Sequence, residues 1–318
     1  MTNLALIGLG RWGKRYISAI ETIPEVQIKY ICANSTKSLA LFSDKYIKLD
    51  NYKDFKKYKD IDGVLVVTPA VSHLPIVKEL LINKFNLLVE KPLVSSYGEA
   101  LELVKIYEQN NKKCFMVGHT YLYNQAFLKV LELKKQIGDI IYIDSQGGSY
   151  GPFRDDVSAL WDWAPHDISM ILEIMQEDPI GVSAWSVNSM KKQNFLGNII
   201  YVRLMFKNGL CAFMKIGSLF PVKTRTLTIV GLKSSVLFDD TKIRKVTLSK
   251  NDINGSETFS KFKNIQPLTQ EVLEFIHCIN FNKKPTSDFY FGIRIVKIIS
   301  YIEESIRLNG KLIKIEKL

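Results

Sequence analysis

The chain has 318 residues, of which 47% are hydrophobic and 24% charged, and it carries a formal net charge of +11. These proportions are typical of globular proteins and exclude a disordered or fibrous chain, and no apolar run is long enough to cross a bilayer. The first residues carry no basic region of a signal peptide, so we expect a cytoplasmic protein with no membrane partner.

The positive charge limits the kinds of binding partner, and the cysteine spacing bears on disulfides and metal sites. Lysines are spread along the chain rather than clustered with aromatic residues, so we expect no nucleic-acid partner. The charge indicates either a solvated lysine-rich surface or attraction of an anionic cofactor or substrate. The four cysteines show no CxxC spacing, and we predict neither disulfides nor a metal site.

The first part of the chain alternates short apolar runs with segments of helical spacing. The runs predict strands at residues 4–7, 28–32, 64–67, 87–89 and 115–117. One of the helices between them opens with a capping box, Ser96 followed by Glu99. This alternation predicts an α/β fold with a doubly wound parallel sheet.

A glycine motif follows the first predicted strand and opens the first helix. In a GxGxxG motif at this place, Gly8 makes a tight turn, Gly10 admits a pyrophosphate close to the backbone, and Gly13 lets the helix pack on the strand. The free N–H groups at the helix start would bind the phosphates. We predict a dinucleotide site that also includes Arg11 and Trp12.

Two other glycine patterns belong to enzyme motifs that the chain does not complete. Residues 8–14 fit the start of a P-loop, but Arg15 follows where Ser or Thr would hold magnesium, so we exclude phosphoryl transfer of this kind. Residues 147–151 fit the GxSxG nucleophile elbow. Pro152 follows, however, and no helical spacing begins there, so we interpret this segment as a glycine-rich turn.

The end of the second predicted strand bears on the choice between NAD and NADP. An NAD site usually has Asp or Glu there to bind the ribose hydroxyls, and this chain has no acid at residues 33–37. Asn34, Ser35 and Lys37, with Arg11 nearby, could instead accept a 2′-phosphate. The sequence therefore favours NADP. The alternative is an ordinary polar turn in which Ser35 or Thr36 caps a helix.

The pattern changes after Gly118 to a mixture of strands and helices. We predict strands at residues 140–143, 182–187, 199–206, 210–216, 226–230 and 236–238, and helices at residues 125–137, 167–175, 269–280 and 292–308. Asn208-Gly209 between two strands predicts a hairpin. Short turns predict a mainly antiparallel sheet in an α+β domain, so we place the two domains at residues 1–118 and 119–318.

Two further segments carry side chains suited to catalysis. Glu90-Lys91-Pro92 follows a predicted strand, at the sheet edge where open α/β sheets bind ligands. Asp162 and His166 are one helical turn apart, so they would share a face if that segment is helical. They could also bind a metal, but no third ligand stands at a recognisable spacing.

Taken in order, these motifs resemble the Gfo/Idh/MocA family, which is named for glucose–fructose oxidoreductase and inositol dehydrogenase. The shared elements are the GxGxxG turn, the segment from Thr68-Pro69 to His73, Glu90-Lys91-Pro92, and the DxxxH element that ends at His166. The chain departs from the family at Ala164, where glycine is usual, and at Ser169, where an acid is frequent.

The resemblance implies roles for individual residues. Lys91, Asp162 and His166 would surround the reacting carbon. The cofactor would lie along Thr68, Pro69, His73 and Glu90. Further candidates for substrate binding are His119, Tyr123 and Arg154.

The predicted function is NAD(P)-dependent hydride transfer at a carbinol or carbonyl carbon of a sugar, a sugar derivative or a nucleotide sugar. His166 would act as general base and Lys91 would hold the reacting oxygen, while Asp162 would orient His166 or bind a neighbouring hydroxyl. The alternatives are a non-catalytic sensor of the same fold that binds NAD(P) and a sugar, and a hydrolase that uses bound NAD. The resemblance also implies a homodimer or homotetramer.

Overall fold

The computed structural model describes residues 1–110, 113–151, 153, 157–192, 195–251, 256–263 and 265–316. The chain forms two compact units: unit 1 comprises Met1–Thr120 and Ile265–Val296, and unit 2 comprises Tyr121–Asn264 and Lys297–Leu318. The change of unit after Thr120 falls near the predicted boundary at residue 118, but residues 265–296, which were predicted in the second domain, pack in unit 1.

A six-stranded parallel sheet is the centre of unit 1. Its strands are β1 (Thr2–Ile7), β2 (Val26–Cys32), β3 (Ile47–Leu49), β4 (Gly63–Val66), β5 (Leu87–Glu90) and β6 (Phe115–Gly118). The order β3-β2-β1-β4-β5-β6 is that of a Rossmann fold, with the reversal of strand order next to β1, where such sheets bind ligands. Every residue of β4, β5 and β6 is buried, which matches sequences that are apolar apart from Glu90 at the end of β5.

Four helices connect these strands. They are α1 (Arg11–Ile20), α2 (Thr36–Ala40), α3 (His73–Ile82) and α4 (Tyr97–Asn110). Ser96 caps α4 as predicted, because its Oγ accepts the N–H of Glu99 at 3.2 Å. The return bond differs from a capping box: the Glu99 carboxylate accepts the N–H of Ser95, one residue earlier, at 2.8 Å.

Unit 2 contains a nine-stranded sheet. Its strands are β7 (Ile140–Tyr150), β8 (Gly181–Lys192), β9 (Phe195–Met205), β10 (Cys211–Gly217), β11 (Leu219–Gly231), β12 (Ser234–Asp239), β13 (Val246–Lys250), β14 (Glu257–Phe259) and β15 (Ile313–Lys314). The order is β14-β13-β12-β11-β7-β10-β9-β8-β15, and among the described pairs only β7 and β10 run parallel. The predicted fold class, a parallel Rossmann sheet followed by a mainly antiparallel sheet, is confirmed.

The hairpin predicted at Asn208-Gly209 joins β9 to β10. Both residues have positive φ, 61° and 79°, as the tight turn between antiparallel strands requires. The prediction of a glycine-rich turn at residues 147–151 is wrong for most of that segment, since β7 continues to Tyr150. A side chain at Gly147 would clash, because a Cβ there would lie 2.6 Å from the guanidinium of Arg225, so these glycines serve packing.

Two helices belong to unit 2 alone, α5 (Gln125–Leu133) and α6 (Ala159–Met175). The sequence predicted that α6 starts at residue 167, but the helix begins eight residues earlier, at Ala159, where Ser158 caps it. Pro165 lies inside this helix, and proline normally ends a helical pattern, which is why the early turns were missed. The helix packs against β7, β9 and β10.

The last two helices are α7 (Pro267–Phe281) and α8 (Phe289–Arg307), and α7 packs in unit 1. A Cβ at Gly63 on β4 would lie 2.9 Å from the ring of Phe275, so this glycine lets α7 approach the sheet closely. The loop before α8 extends the edge of β6, since Val117 donates its N–H to the carbonyl of Ser287 at 2.8 Å. In the described part of the chain, no helix combines the length and hydropathy needed to span a bilayer.

Candidate cofactor and catalytic sites

The glycine turn between β1 and α1 has the geometry that its sequence predicts. Gly8 has φ +99°, and a Cβ there would lie 2.6 Å from the carbonyl oxygen of Val67. A Cβ at Gly13 would lie 2.1 Å from the carbonyl oxygen of Gly8, so only glycine lets helix and turn meet. Gly10 differs, because its Cβ position has no atom within 4 Å, and its role toward a pyrophosphate stays a prediction.

The start of α1 offers its N–H groups without competition from side chains. Gly10 is the N-cap residue, no side chain forms a capping hydrogen bond, and the first turn contains no acid. Arg11 is exposed, and the guanidinium of Arg15 lies 4.6 Å from the ring of Trp12. Uncapped N–H groups, a positive helix end and open space at Gly10 fit the pyrophosphate of a dinucleotide.

The segment after β2 is an exposed polar turn that also caps α2. Asn34, Ser35 and Lys37 are all exposed, and the Ser35 Oγ accepts the N–H of Ser38 at 3.2 Å. The capping role that the sequence offered as the alternative is therefore present. Burial, and then the charges of two acids from the segment after β3, raise the pKa of the Cys32 thiol to about 12. The acids are Asp50 and Asp54. They place negative charge near the end of β2, and the sequence analysis did not include their segment.

The loop after β4 is tied to the loop after β5 by one buried histidine. The Nδ1 of His73 lies 3.1 Å from the carbonyl oxygens of Pro92 and Leu93, and its Nε2 lies 2.8 Å from that of Thr68. Burial lowers the pKa of His73. Its predicted place along the cofactor stays a prediction, and its contacts give it a structural role beside the candidate site. Pro69, by contrast, is exposed at the sheet edge.

Glu90 is the last residue of β5, its carboxylate is buried, and Lys91 follows it. The Glu90 Oε2 accepts the N–H of Lys91 at 2.9 Å, and the peptide bond between Lys91 and Pro92 is cis. The hydroxyl of Tyr16 lies 3.1 Å from the Glu90 Oε1 and 2.7 Å from the Oε1 of Glu271 on α7. Burial raises the pKa of Glu90, and the charge of Lys91 opposes that rise.

Sequence reasoning missed Tyr16 and Glu271. Glu271 is fully buried, and it occupies a position on the apolar face of α7 between Leu268 and Phe275. An acid within the apolar stripe of a helix was the available signal. Its partner on α1 stands 255 positions away in the sequence, so no local pattern could identify it.

His119 follows β6 and is buried beside Lys91. Its side chain is 1% exposed, and neither ring nitrogen has a hydrogen-bond partner among the described residues. Burial, and then the charge of Lys91, lower the pKa of His119 to about 3. The ring is therefore neutral, and its hydrogen-bonding capacity is unused.

In unit 2, α6 carries the other two predicted catalytic residues. Asp162 and His166 lie one turn apart within this continuous helix, so they share a face. The ring of His166 packs edge-on against Tyr121 with 5.1 Å between centroids. Ser169, at the place of a usual family acid, donates its Oγ–H to the carbonyl oxygen of His166 at 2.8 Å. Tyr123 is buried, and Arg154 lies outside the described residues.

A buried ion pair that no sequence pattern indicates lies next to His166. The Arg225 Nη1 lies 2.7 Å from the Asp167 Oδ2, and both side chains are buried. The guanidinium also faces two aromatic rings, Tyr121 at 4.9 Å and Trp163 at 5.2 Å. Burial raises the pKa of Asp167, and the charge of Arg225 opposes that rise.

The predicted site residues fall into two groups. The glycine turn, Thr68, Lys91 and His119 stand at the carboxyl ends of strands in unit 1, whereas Asp162 and His166 belong to unit 2. We predict that Lys91, Asp162 and His166 act on one carbon, and this stays a prediction. No group of three His, Cys, Asp or Glu side chains suited to a metal ion occurs within the described ranges.

Known proteins resemble the chain in sequence and in fold. Residues 2–119 match the model of an oxidoreductase family with an NAD-binding Rossmann fold. The chain is 24% identical to the uncharacterized oxidoreductase YrbE of Bacillus subtilis (strain 168) over 321 residues, which span 95% of this chain and 93% of that protein.

Solved structures show the same fold at lower identity. The myo-inositol 2-dehydrogenase from Lactobacillus plantarum is 22% identical with a TM-score of 0.83, and the match covers 99% of each chain. The scyllo-inositol dehydrogenase from Lactobacillus casei, with bound NAD(H) and scyllo-inositol, is 17% identical with a TM-score of 0.83, again over 99% of each chain.

Proposed function

We propose that this protein transfers a hydride between a nicotinamide and a carbon of a sugar-like substrate, because residues 2–119 match the Gfo/Idh/MocA model of an oxidoreductase family with an NAD-binding Rossmann fold. The family match confirms the predicted family and the prediction of a dehydrogenase or reductase. The reacting group we propose is a carbinol or carbonyl of a sugar, a sugar derivative or a nucleotide sugar. The inositol dehydrogenases that share the fold support this substrate class.

The observation that carries the proposal is the turn between β1 and α1. Its N-cap glycine leaves open space, the helix start is uncapped, and the first turn is free of acids. A dinucleotide held there would run along the carboxyl edge of the sheet, where Lys91 directly follows β5. The nicotinamide, when bound, supplies the hydride chemistry.

The chain's own residues would supply binding and proton transfer. Lys91 donates a charge-assisted hydrogen bond to the substrate oxygen and stabilises negative charge that develops there. The imidazole of His166 takes the hydroxyl proton as general base, which typically contributes about 10²–10⁴-fold to the rate. Asp162, one turn earlier on α6, orients that imidazole or binds a neighbouring hydroxyl. The buried, neutral His119 adds one donor and one acceptor beside Lys91.

The test replaces Lys91 by Met, which keeps the apolar stem and removes the ammonium. We expect at least a hundredfold loss of kcat, measured at 340 nm with a panel of sugars and polyols, and an unchanged Kd for the cofactor by calorimetry. Lys105→Met, an exposed change on α4, is the matched control and should retain activity. Full turnover by the Lys91 variant would contradict its role. Tight cofactor binding without any turnover in the unmodified protein would favour the alternative function, a non-catalytic sensor of the same fold.

We further propose that the cofactor is NADP. Support comes from the absence of an acid at residues 33–37 and from exposed Lys37 and Arg11, while the Asp50 and Asp54 charges favour NAD. Replacing Lys37 by Glu should weaken NADP binding about tenfold, or about 1.4 kcal/mol, because a charged hydrogen bond to the 2′-phosphate is lost, and leave NAD binding within about twofold. Calorimetry with NAD and with NADP measures both affinities. Equal effects of the substitution on the two nucleotides would refute the preference for NADP.

A further inference from the structure

Two buried carboxyl groups share a single hydroxyl beneath Lys91. Tyr16 on α1 places its hydroxyl 3.1 Å from the Glu90 Oε1 and 2.7 Å from the Glu271 Oε1. Glu271 is fully buried and Glu90 is 6% exposed. Tyr16 has only one proton to donate, so it cannot donate to both carboxylates at once. One of the two acids must therefore hold a proton of its own.

The surroundings decide which carboxyl is charged. Two carboxylates in one buried site cannot both ionise at neutral pH. Glu90 accepts the N–H of Lys91 at 2.9 Å and is stabilised by the Lys91 charge, so it takes the negative charge. Glu271 faces the charges of Glu90 and of Glu274, and burial followed by these charges raises its pKa to about 8. Glu271 is therefore the neutral acid.

This assignment satisfies every donor in a single chain of hydrogen bonds. The protonated Oε1 of Glu271 donates to the oxygen of Tyr16, whose hydroxyl donates to the Glu90 Oε1. Gly118, the last residue of β6, leaves room for the arrangement, because its Cβ would lie 3.2 Å from the Tyr16 hydroxyl oxygen and 3.5 Å from the Glu271 Oε1.

Among the described residues, the segment after β6 provides two further polar side chains near this chain of hydrogen bonds. The segment after β6 contributes the Thr120 hydroxyl, which bonds to the Glu271 carboxyl. It also contributes the neutral His119, which lies beside Lys91. Neither adds a charge at neutral pH, so the pair's ionisation is set by Lys91 and Glu274.

We propose that Glu271 and Tyr16 are positioning residues for Lys91, since Glu271 is held as a neutral acid whose hydrogen bond, passed on through Tyr16, keeps Glu90 ionised beside that lysine. The importance for catalysis rests on the proposed function, in which Lys91 binds the substrate oxygen. At alkaline pH, Glu271 loses its proton and competes with Glu90 for the one hydroxyl proton of Tyr16. Glu90 then loses the hydroxyl that holds its Oε1, so the carboxylate beside Lys91 is no longer fixed in position.

The first experiment compares pH profiles of kcat for the unmodified protein, Glu271→Gln and the exposed control Glu25→Gln. Glutamine has the shape of the neutral acid and can donate to Tyr16, but it cannot ionise. We expect kcat of the unmodified protein and of the control to fall about tenfold per unit above about pH 8. Glu271→Gln should retain kcat within about twofold at pH 7 and stay flat to pH 9.5. An unchanged alkaline limb in that variant overturns the inference.

Tyr16→Phe breaks the same chain at its centre. We expect it to lower kcat about tenfold at pH 7 while the Kd of the cofactor stays within about twofold, because it removes the hydroxyl that holds the Glu90 Oε1 at 3.1 Å. Proper folding of the variant is checked by its cofactor affinity. Unchanged kcat in this variant would overturn the role of Tyr16.

A second measurement needs no turnover and so separates this inference from the proposed function. The Glu271 carboxyl has a raised folded pKa of about 8 against 4.5 for an ordinary Glu, so the folded state binds the extra proton and loses stability as the pH rises between these values. Thermal unfolding of the unmodified protein and Glu271→Gln should diverge across that window, with the variant gaining as the pH rises. Parallel curves overturn the inference whether or not any sugar is oxidised.

Discussion

Arg225 has surroundings that restrict its substitution. It forms an ion pair with Asp167 at 2.7 Å and lies between the rings of Tyr121 and Trp163, and its side chain is almost fully buried. Gly147 on β7 provides the space, since a Cβ there would clash with the guanidinium. Asp167 is adjacent to His166 on α6, and Tyr121 packs on the His166 ring, so the ion pair supports the candidate general base from two sides.

Removing one member of the Arg225–Asp167 ion pair should lower the free energy of unfolding. Arg225→Met leaves the Asp167 carboxylate buried without its partner, and we expect a loss of about 3–5 kcal/mol in the free energy of unfolding. The double variant Arg225→Met with Asp167→Asn removes both charges, so it should recover part of that loss. Urea unfolding of both single variants and the double variant measures the coupling. Additive losses would mean that the two side chains do not stabilise each other.

The glycines of the first turn and the buried charges differ in how far their roles could be predicted. The roles of Gly8 and Gly13 follow from a local pattern, because a strand, a turn and a helix in succession determine their contacts. Glu271 and Arg225 have partners far along the chain, on α1 and on α6, and no pattern within one element records such a pairing. The sequence therefore predicted a ligand site, and the structure revealed two buried side chains whose pairing no local pattern indicates.

At the scale of elements, strong periodicity was predicted well and irregular or short segments were not. The strand β3 has three residues of mixed polarity, and β15 has two, so neither has enough length for a detectable alternation. The start of α6 was missed because Pro165 suggested a break, yet the helix continues through it. Packing of α6 against β7, β9 and β10 compensates for the hydrogen bond that proline cannot donate.

The turn between β1 and α1 permits a paired test of its two inner glycines. Gly13→Ala would place a methyl group 2.1 Å from the Gly8 carbonyl oxygen, so we expect lower thermal stability and loss of cofactor binding. Gly10→Ala meets no protein atom within 4 Å, so its melting temperature should change little.

Dinucleotide binding should distinguish Gly10→Ala from the unmodified protein. A methyl group at Gly10 blocks the approach of a pyrophosphate to the backbone, and we expect at least a tenfold rise in the Kd of the dinucleotide. Calorimetry and thermal unfolding of both variants provide the comparison. Normal cofactor affinity in a stably folded Gly10→Ala protein would contradict the proposed site.

At the scale of the whole molecule, one face of the nine-stranded sheet presents apolar side chains to solvent. On β8 and β9, Trp185 and Tyr201 are paired across the strands and are 49% and 43% exposed. Further exposed apolar residues on neighbouring strands are Tyr142, Phe213 and Leu237. Exposed apolar side chains on one sheet face are typical of protein–protein contact, so we propose this face as the interface of the predicted homodimer or homotetramer.

The oligomeric state can be tested by one charge on that face. Tyr201→Glu places a carboxylate among the apolar side chains, and we expect the mass measured by light scattering to fall to that of a single chain. Leu101→Glu changes an equally exposed apolar residue, 43% exposed on α4, and should leave the mass unaltered. A monomeric unmodified protein, or the same dissociation with both variants, would exclude this face as the interface.

The return of α7 to unit 1 has a consequence for how the protein is made. A ribosome completes the residues of the parallel sheet early, but Ile265–Val296 emerge only after all of Tyr121–Asn264. At usual rates of synthesis, the nascent sheet waits on the order of 10 s for the helix that covers it. During that interval β6 lacks its bond to Ser287 and Tyr16 lacks Glu271, so we expect a nascent chain released before α7 to bind chaperones rather than to form a complete unit 1.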